Sequence, residues 1–204
     1  MNFLKYMSMK GAYEMMSEEE SYLQKIRIEH ERKFFFLNHN LGAEVHWLFT
    51  QALSALDSEL YLPACTSFIN GIEASLRITM SQIKKPYMVT ELDNIPTLSN
   101  SLLLAAQNNG LPIEALAFPE ESLFLDNLNS KKPNKTDVEI VRIRHNLCHG
   151  NFLEYTNTDL GEGNYFFTPE CCRPLAHQLH DLCCEWTVQL GKFREELIKK
   201  SNQI

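Results

Sequence analysis

The segment with the most chemical content is Val141-Arg142-Ile143-Arg144-His145-Asn146-Leu147-Cys148-His149-Gly150. On a helical wheel at about 100° per residue, with Val138 at zero, Ile143, Leu147, Ile140, Cys148 and Val141 fill an arc from roughly 140° to 300°. Arg144 falls at about 240°, inside that arc, while Arg142 falls near 40° on the opposite side. A guanidinium in a buried stripe is costly unless it is paired or meets an anionic ligand. Arg142 therefore reads as a solvated charge, and Arg144 does not. His145 and His149, four residues apart, share one flank, and His149 lies in a last turn whose dipole favours an imidazolium. Arg and His together suit phosphodiester cleavage. The imidazole exchanges protons near neutral pH, the guanidinium holds the anionic phosphorane, and no metal is needed when RNA's own 2′-hydroxyl attacks. Lys131, Lys132 and Lys135 add a local positive excess of the kind a phosphate-binding groove needs.

The elements that must position these groups are helices. The chain has 204 residues, near the length of one domain or one domain with an extension. Its 44% hydrophobic and 22% charged residues are those of an ordinary globular protein. A net charge of −7 excludes a generally basic nucleic-acid binder and permits a local basic site. No run approaches the roughly 18–20 apolar residues of a membrane helix, and no secretory signal is evident. The expectation is a cytoplasmic protein whose six cysteines are thiols.

Ser17 with Glu20 forms a capping box opening a helix to about Phe36. Further helices are expected over 43–58, over 62–83 with Pro63 in its first turn, over 136–149 ending at Gly150, and over 174–200. In the last, Leu175, Leu179, Leu182, Trp186, Leu190, Phe193 and Leu197 form a bundle-packing seam at heptad spacing. Five prolines punctuate residues 84–134, which read as an irregular, loosely packed insertion with short helical pieces near 99–108 and 120–128. Residues 163–168 read as a short extended segment. The fold class is all-α, an antiparallel bundle of four to six helices, with an extension over 1–40 and the main domain over 41–200.

Arg144-His145-Asn146-Leu147-Cys148-His149-Gly150, near the end of a late helix in an all-α bundle, resembles the Arg-x4-His motif of the HEPN superfamily (higher eukaryotes and prokaryotes nucleotide-binding domain). The motif covers seven residues, and the looser likeness of helix order covers roughly 42–200. His145 fills the slot that the family usually gives to Asn, Asp or His. The resemblance implies a metal-independent endoribonuclease without a cofactor, whose site forms between two protomers of a homodimer. Many relatives are toxins in toxin–antitoxin, phage-defence or RNA-decay systems, some paired with a small nucleotidyltransferase antitoxin. Arg144 would bind the phosphate, His149 act as general acid or base, and His145 assist, with Asn146 in support. Such domains often carry an acidic residue on an early helix facing the motif. Glu73, on a polar stripe with Asn70 and Arg77, is the best match and would orient Arg144.

Two other readings stand beside this one. The same fold could be a non-catalytic module binding RNA, a nucleotide or a protein partner, with Arg144 in a structural ion pair. A zinc site could draw on His145, His149 and Cys148, or on His177, His180 and Cys184 with Cys171, Cys172 and Cys183 nearby. Against zinc, no Cys-x2-Cys spacing is present, and thiols beside a packing seam behave as small hydrophobes.

Overall fold

In the computed structural model, the described residues are 17–88, 92–151, 153–159, 161, 163 and 165–202. They form seven α-helices: α1 (Glu18–Phe35), α2 (His46–Asp57), α3 (Tyr61–Gln82), α4 (Asn100–Asn108), α5 (Phe124–Asn129), α6 (Glu139–Cys148) and α7 (Arg173–Ser201). Three short 3₁₀ turns, Ile113–Leu116, Leu153–Tyr155 and Pro169–Cys172, join them. The chain divides after Phe35 into two compact units. The first contributes α1, whose N-terminus carries the reciprocal capping box: the Ser17 amide donates to Glu20 Oε2 at 2.9 Å and the Glu20 amide to Ser17 Oγ at 3.2 Å. No described helix is long and apolar enough to cross a membrane.

The second unit is an antiparallel all-α bundle organised on α3. Phe68, Ile69, Ile72 and Leu76 of α3 are fully buried, as the sequence periodicity requires. The helix packs against α2, α6 and α7. The α2 contact is close because α3 carries Gly71, where a Cβ would lie 2.7 Å from the buried Phe49 ring. The heptad residues of α7 pack within the chain: Leu179, Trp186 and Leu190 are wholly buried, and the Trp186 indole donates to Ser75 Oγ of α3 at 2.9 Å.

Two expectations need correction. The helix number exceeds four to six because the middle segment supplies α4 and α5. That segment is also not loosely packed: Leu98, Leu102, Leu103, Ala106, Ile113, Leu116, Phe124 and Leu128 join the core. Asn100, 2% exposed, holds it in place. Its amide donates to the carbonyls of Asn127 (3.1 Å) and Thr136 (2.9 Å), and its Oδ1 accepts from the Val138 amide (3.1 Å). One side chain thus ties α4 to α5 and to the entry of α6, and satisfies the buried Val138 amide. Arg77 fastens the preceding loop, donating to the carbonyls of Leu92 and Ile95. Of the extended segment expected over 163–168, Phe166 forms an isolated antiparallel bridge with Asn157, and Asn164 lies outside the described residues.

The seam of α7 changes character toward its end. Phe193 and Leu197 are only half-buried, whereas Arg194 is 3% exposed. Its guanidinium donates to Thr79 Oγ1 (3.0 Å) and Gln82 Oε1 (2.7 Å), both neutral acceptors on α3. Burial without a carboxylate partner pulls its pKa down. Gly42, at φ +77°, lies directly over it, and a Cβ there would fall 2.5 Å from Arg194 Nη2. Gly42→Ala should therefore combine left-handed strain with a clash against a fixed guanidinium and lose about 2–4 kcal/mol. Urea denaturation of the two proteins checks this; equal midpoints would contradict it.

Candidate functional site

Helix α6 carries the motif, and its ends are well defined. At the C-terminus His149 is the cap residue, and Gly150 takes the left-handed conformation (φ +70°) that lets the Asn151 amide bond back to the Asn146 carbonyl at 2.8 Å. This is the 6→1 bond of a Schellman motif. Ile140, Val141 and Ile143 are buried and fix the rotation of the helix. Leu147 is only half-buried, and Cys148, expected in the apolar arc, is exposed because the arc runs off the core at the last turn.

Arg144 lies on the core-facing flank, with its side chain 18% exposed, and its Nε is 3.4 Å from Glu73 Oε2, itself 16% exposed. The acidic partner that the resemblance suggested on an early helix thus stands against the arginine, and each group offsets the desolvation of the other. His145 and His149 pair on the solvent flank, with ring centroids 5.4 Å apart. His145 Nδ1 is 4.0 Å from Asp137 Oδ2, and Lys135 Nζ is 3.5 Å from the other Asp137 oxygen. Lys131, Lys132 and Lys135 are all exposed. Asn146 Oδ1 accepts from the Asn151 side chain at 3.1 Å, which stiffens the turn after the motif.

The site residues thus form two groups. Positions five apart on a helix differ by about 140° in direction, so Arg144 and His149 look out from different flanks of α6. Arg144 meets Glu73 on α3, and His149 meets His145.

Arg142 is exposed, as the wheel places it, but it is not unpaired: Nε and Nη2 donate to the two oxygens of Glu139 at 2.8 and 2.7 Å, and Nη1 donates to Glu154 Oε2. The Glu139 hydrogen bonds raise its pKa most, and Glu154 adds to this. The interaction draws the 153–155 turn onto α6. Burial alone would raise the Glu154 pKa, but hydrogen bonding from Tyr155, Asn146 and Arg142 outweighs it and holds the carboxyl below its usual range. Burial and the Glu154 carboxylate push the Tyr155 phenol well above its ordinary range. Sequence reasoning missed this cluster because Glu154 lies beyond the helix, and only the turn at Gly150 brings it back. Beside it opens a cleft of about 390 Å³, lined in part by Phe118, Glu139, Ile143, Glu154, Leu175 and Gln178.

The alternative zinc constellation has a different arrangement. His180 Nδ1 lies 3.1 Å from Asp181 Oδ1 and its Nε2 3.6 Å from Cys184 Sγ, while Cys183 is buried and its thiol is raised by that burial. Among the described residues no group of three His, Cys, Asp or Glu side chains is gathered as a metal site. Comparison with known proteins yields no matching family model, no matching curated protein and no matching solved structure.

The depressed pKa of Glu154 has a defined consequence for pH. A carboxyl lowered in the folded state stabilises at any pH above its unfolded value of roughly 4.3, and that contribution disappears as pH falls through the folded value. Glu121, raised by burial, acts in the opposite sense. Amide protection at 153–155 should therefore fall selectively on acidification below about pH 4. Glu154→Gln should remove that pH dependence. Hydrogen exchange followed by mass spectrometry reads both; an acid-insensitive turn in the unaltered protein would refute the assignment.

Proposed function

We propose that the chain is a metal-independent endoribonuclease of HEPN type, acting as a toxin or defence effector that cleaves RNA through the 2′-hydroxyl. The observation that supports this best is the Glu73–Arg144 pair: a cation retained on the core-facing flank of the motif helix and fixed by a carboxylate from α3. A held guanidinium stabilises charge that develops on a phosphorane without reorganising at the moment of reaction. His149, exposed at the helix end beside His145, is accessible to a ribose hydroxyl or a leaving oxygen. In this reading Arg144 binds phosphate, His149 is the general acid or base, and His145 hydrogen-bonds the scissile group. Glu73 and Asn146 position them, and Lys131, Lys132 and Lys135 attract the backbone.

The different flanks occupied by Arg144 and His149 favour a homodimer, in which one protomer's arginine and its partner's histidine complete a site. The same feature favours a second reading, a non-catalytic module for RNA, a nucleotide or a protein partner, in which Glu73–Arg144 is only structural. A nucleotidyltransferase-like antitoxin is a candidate partner under the first reading, and the cytoplasm its compartment.

The deciding experiment incubates the purified protein with mixed cellular RNA in excess EDTA, beside Arg144→Ala and His149→Ala. Cleavage by the unaltered protein is expected to drop at least about 100-fold in each variant, the scale of losing one general acid–base or oxyanion-type contact. His149→Ala should keep the thermal midpoint, since the side chain is exposed. Full cleavage by both variants would refute the proposed roles, and no cleavage by any of the three proteins would favour the binding module.

A further inference from the structure

The tripeptide Ile-Lys-Lys occurs twice, at 83–85 directly after α3 and at 198–200 in the last turn of α7. The two runs lie at one end of the bundle. Arg194 of α7 bonds Gln82 in the last turn of α3, and the Tyr87 phenol donates to Asn202 Oδ1 at 2.8 Å, tying the segment after α3 to the end of α7. Segments 82–88 and 197–202 carry Lys84, Lys85, Lys199 and Lys200 and no carboxylate side chain, in a chain of net charge −7. All four lysines are exposed, and none pairs with a described carboxylate. Glu195 and Glu196, one turn back on α7, are matched in number by Lys192 and Arg194, so the four positive charges stand unbalanced. Tyr87 and Met88, next in the chain, are 65% and 57% exposed.

Cations near a helix C-terminus complement its dipole, which accounts for lysines at each end. It does not account for an exposed tyrosine ring two residues beyond Lys85, anchored by its hydroxyl two residues beyond Lys200. We infer that this end of the bundle is a binding surface for single-stranded RNA, in which the four lysines follow the phosphates and Tyr87 stacks on a base. The inference rests on the ribonuclease reading for its substrate and adds to it where a strand is held outside the motif. Unpaired RNA is bound in this manner, by positive charge along its backbone and an aromatic face for its bases, with little demand on sequence. An acidic polypeptide would use the lysines and leave the ring idle. Anchoring by Asn202 also reduces the rotamer freedom that the ring loses when it stacks. Glu73, the partner of Arg144, precedes Gln82 by nine residues on α3, about 14 Å along the helix axis. A strand whose phosphate meets Arg144 therefore comes to the lysines within a few nucleotides.

The test is fluorescence anisotropy of the full-length protein with a labelled 2′-O-methyl oligouridylate, a single strand that lacks the attacking hydroxyl and is bound without being cut. The unaltered protein is expected to bind it at low salt. Lys84→Gln, Lys85→Gln, Lys199→Gln and Lys200→Gln combined should weaken binding at least about tenfold and flatten the dependence of log K on log salt by about 0.7 per lysine. An unchanged thermal melt of that variant, whose altered side chains are exposed, separates lost contact from lost fold. Tyr87→Ala should weaken binding at least about fivefold, and Tyr87→Phe, which keeps the ring, should bind more tightly than Tyr87→Ala. Unchanged affinity and salt dependence in the lysine variant overturn the surface. Labelled polyglutamate bound as tightly as the oligonucleotide overturns the RNA assignment in favour of an acidic protein partner. RNA cleavage in EDTA alongside normal binding by the lysine variant defeats the surface alone. Binding that depends on the lysines, without any cleavage by the unaltered protein, defeats the ribonuclease reading and leaves an RNA-binding surface.

Discussion

The arrangement of the second unit follows from the demand that α3 be buried on several sides at once. A helix that packs against α2, α6 and α7 together has little surface left for water, so every polar group on its inner faces needs a partner. Ser75 receives the Trp186 indole, and Thr79 and Gln82 receive the Arg194 guanidinium. Glu73, at the margin facing α6, meets Arg144. Three of the most informative contacts in the molecule are therefore answers to one problem. They specify the register of α3 against α7 and reinforce the rotation of α6 that Ile140, Val141 and Ile143 set.

Much of this was legible from residue types. The period of the apolar residues locates the long helices, Ser17 and Glu20 mark a start, and Gly150 marks an end. Arg144 stands out because its charge falls within an apolar arc, and an anomaly of that kind points to a partner. Arg194 gives no such signal. Between Phe193 and Glu195 it reads as one of many charges on a long amphipathic helix, and only the approach of Gly42 and the end of α3 encloses it. Arg142 is legible only in part: the wheel places it on the solvent side correctly, but a wheel knows nothing of the turn that returns Glu154 to pair with it. The middle segment was opaque because its order comes from Asn100 and scattered single apolar residues rather than from any repeat.

The candidate site was legible as a set of residues and not as a geometry. Spacing along α6 names Arg144, His145 and His149, and a polar stripe on α3 names Glu73. Which of them meet depends on helix rotation, and the rotation is set by Ile140, Val141 and Ile143, whose positions carry no chemistry. Two neighbouring pairs result, one against the core and one against solvent, where the linear motif suggests a single cluster. The cleft beside Glu154 was beyond reach because its walls come from four separated stretches of chain.

The separation of duties around α6 has an evolutionary side. The residues that keep the helix in place sit on one flank, and the exposed His145 and His149 sit on another, touching each other and the edge of Asp137. Replacement of either imidazole disturbs almost no packing, so selection for folding does not guard them; only selection for whatever they do can. A lineage relieved of that need would lose the histidines quickly while the bundle, its arginine–glutamate pair and its buried α3 drifted slowly. Descendants of this chain would then be recognisable by their core long after the solvent flank of α6 had been rewritten for another use.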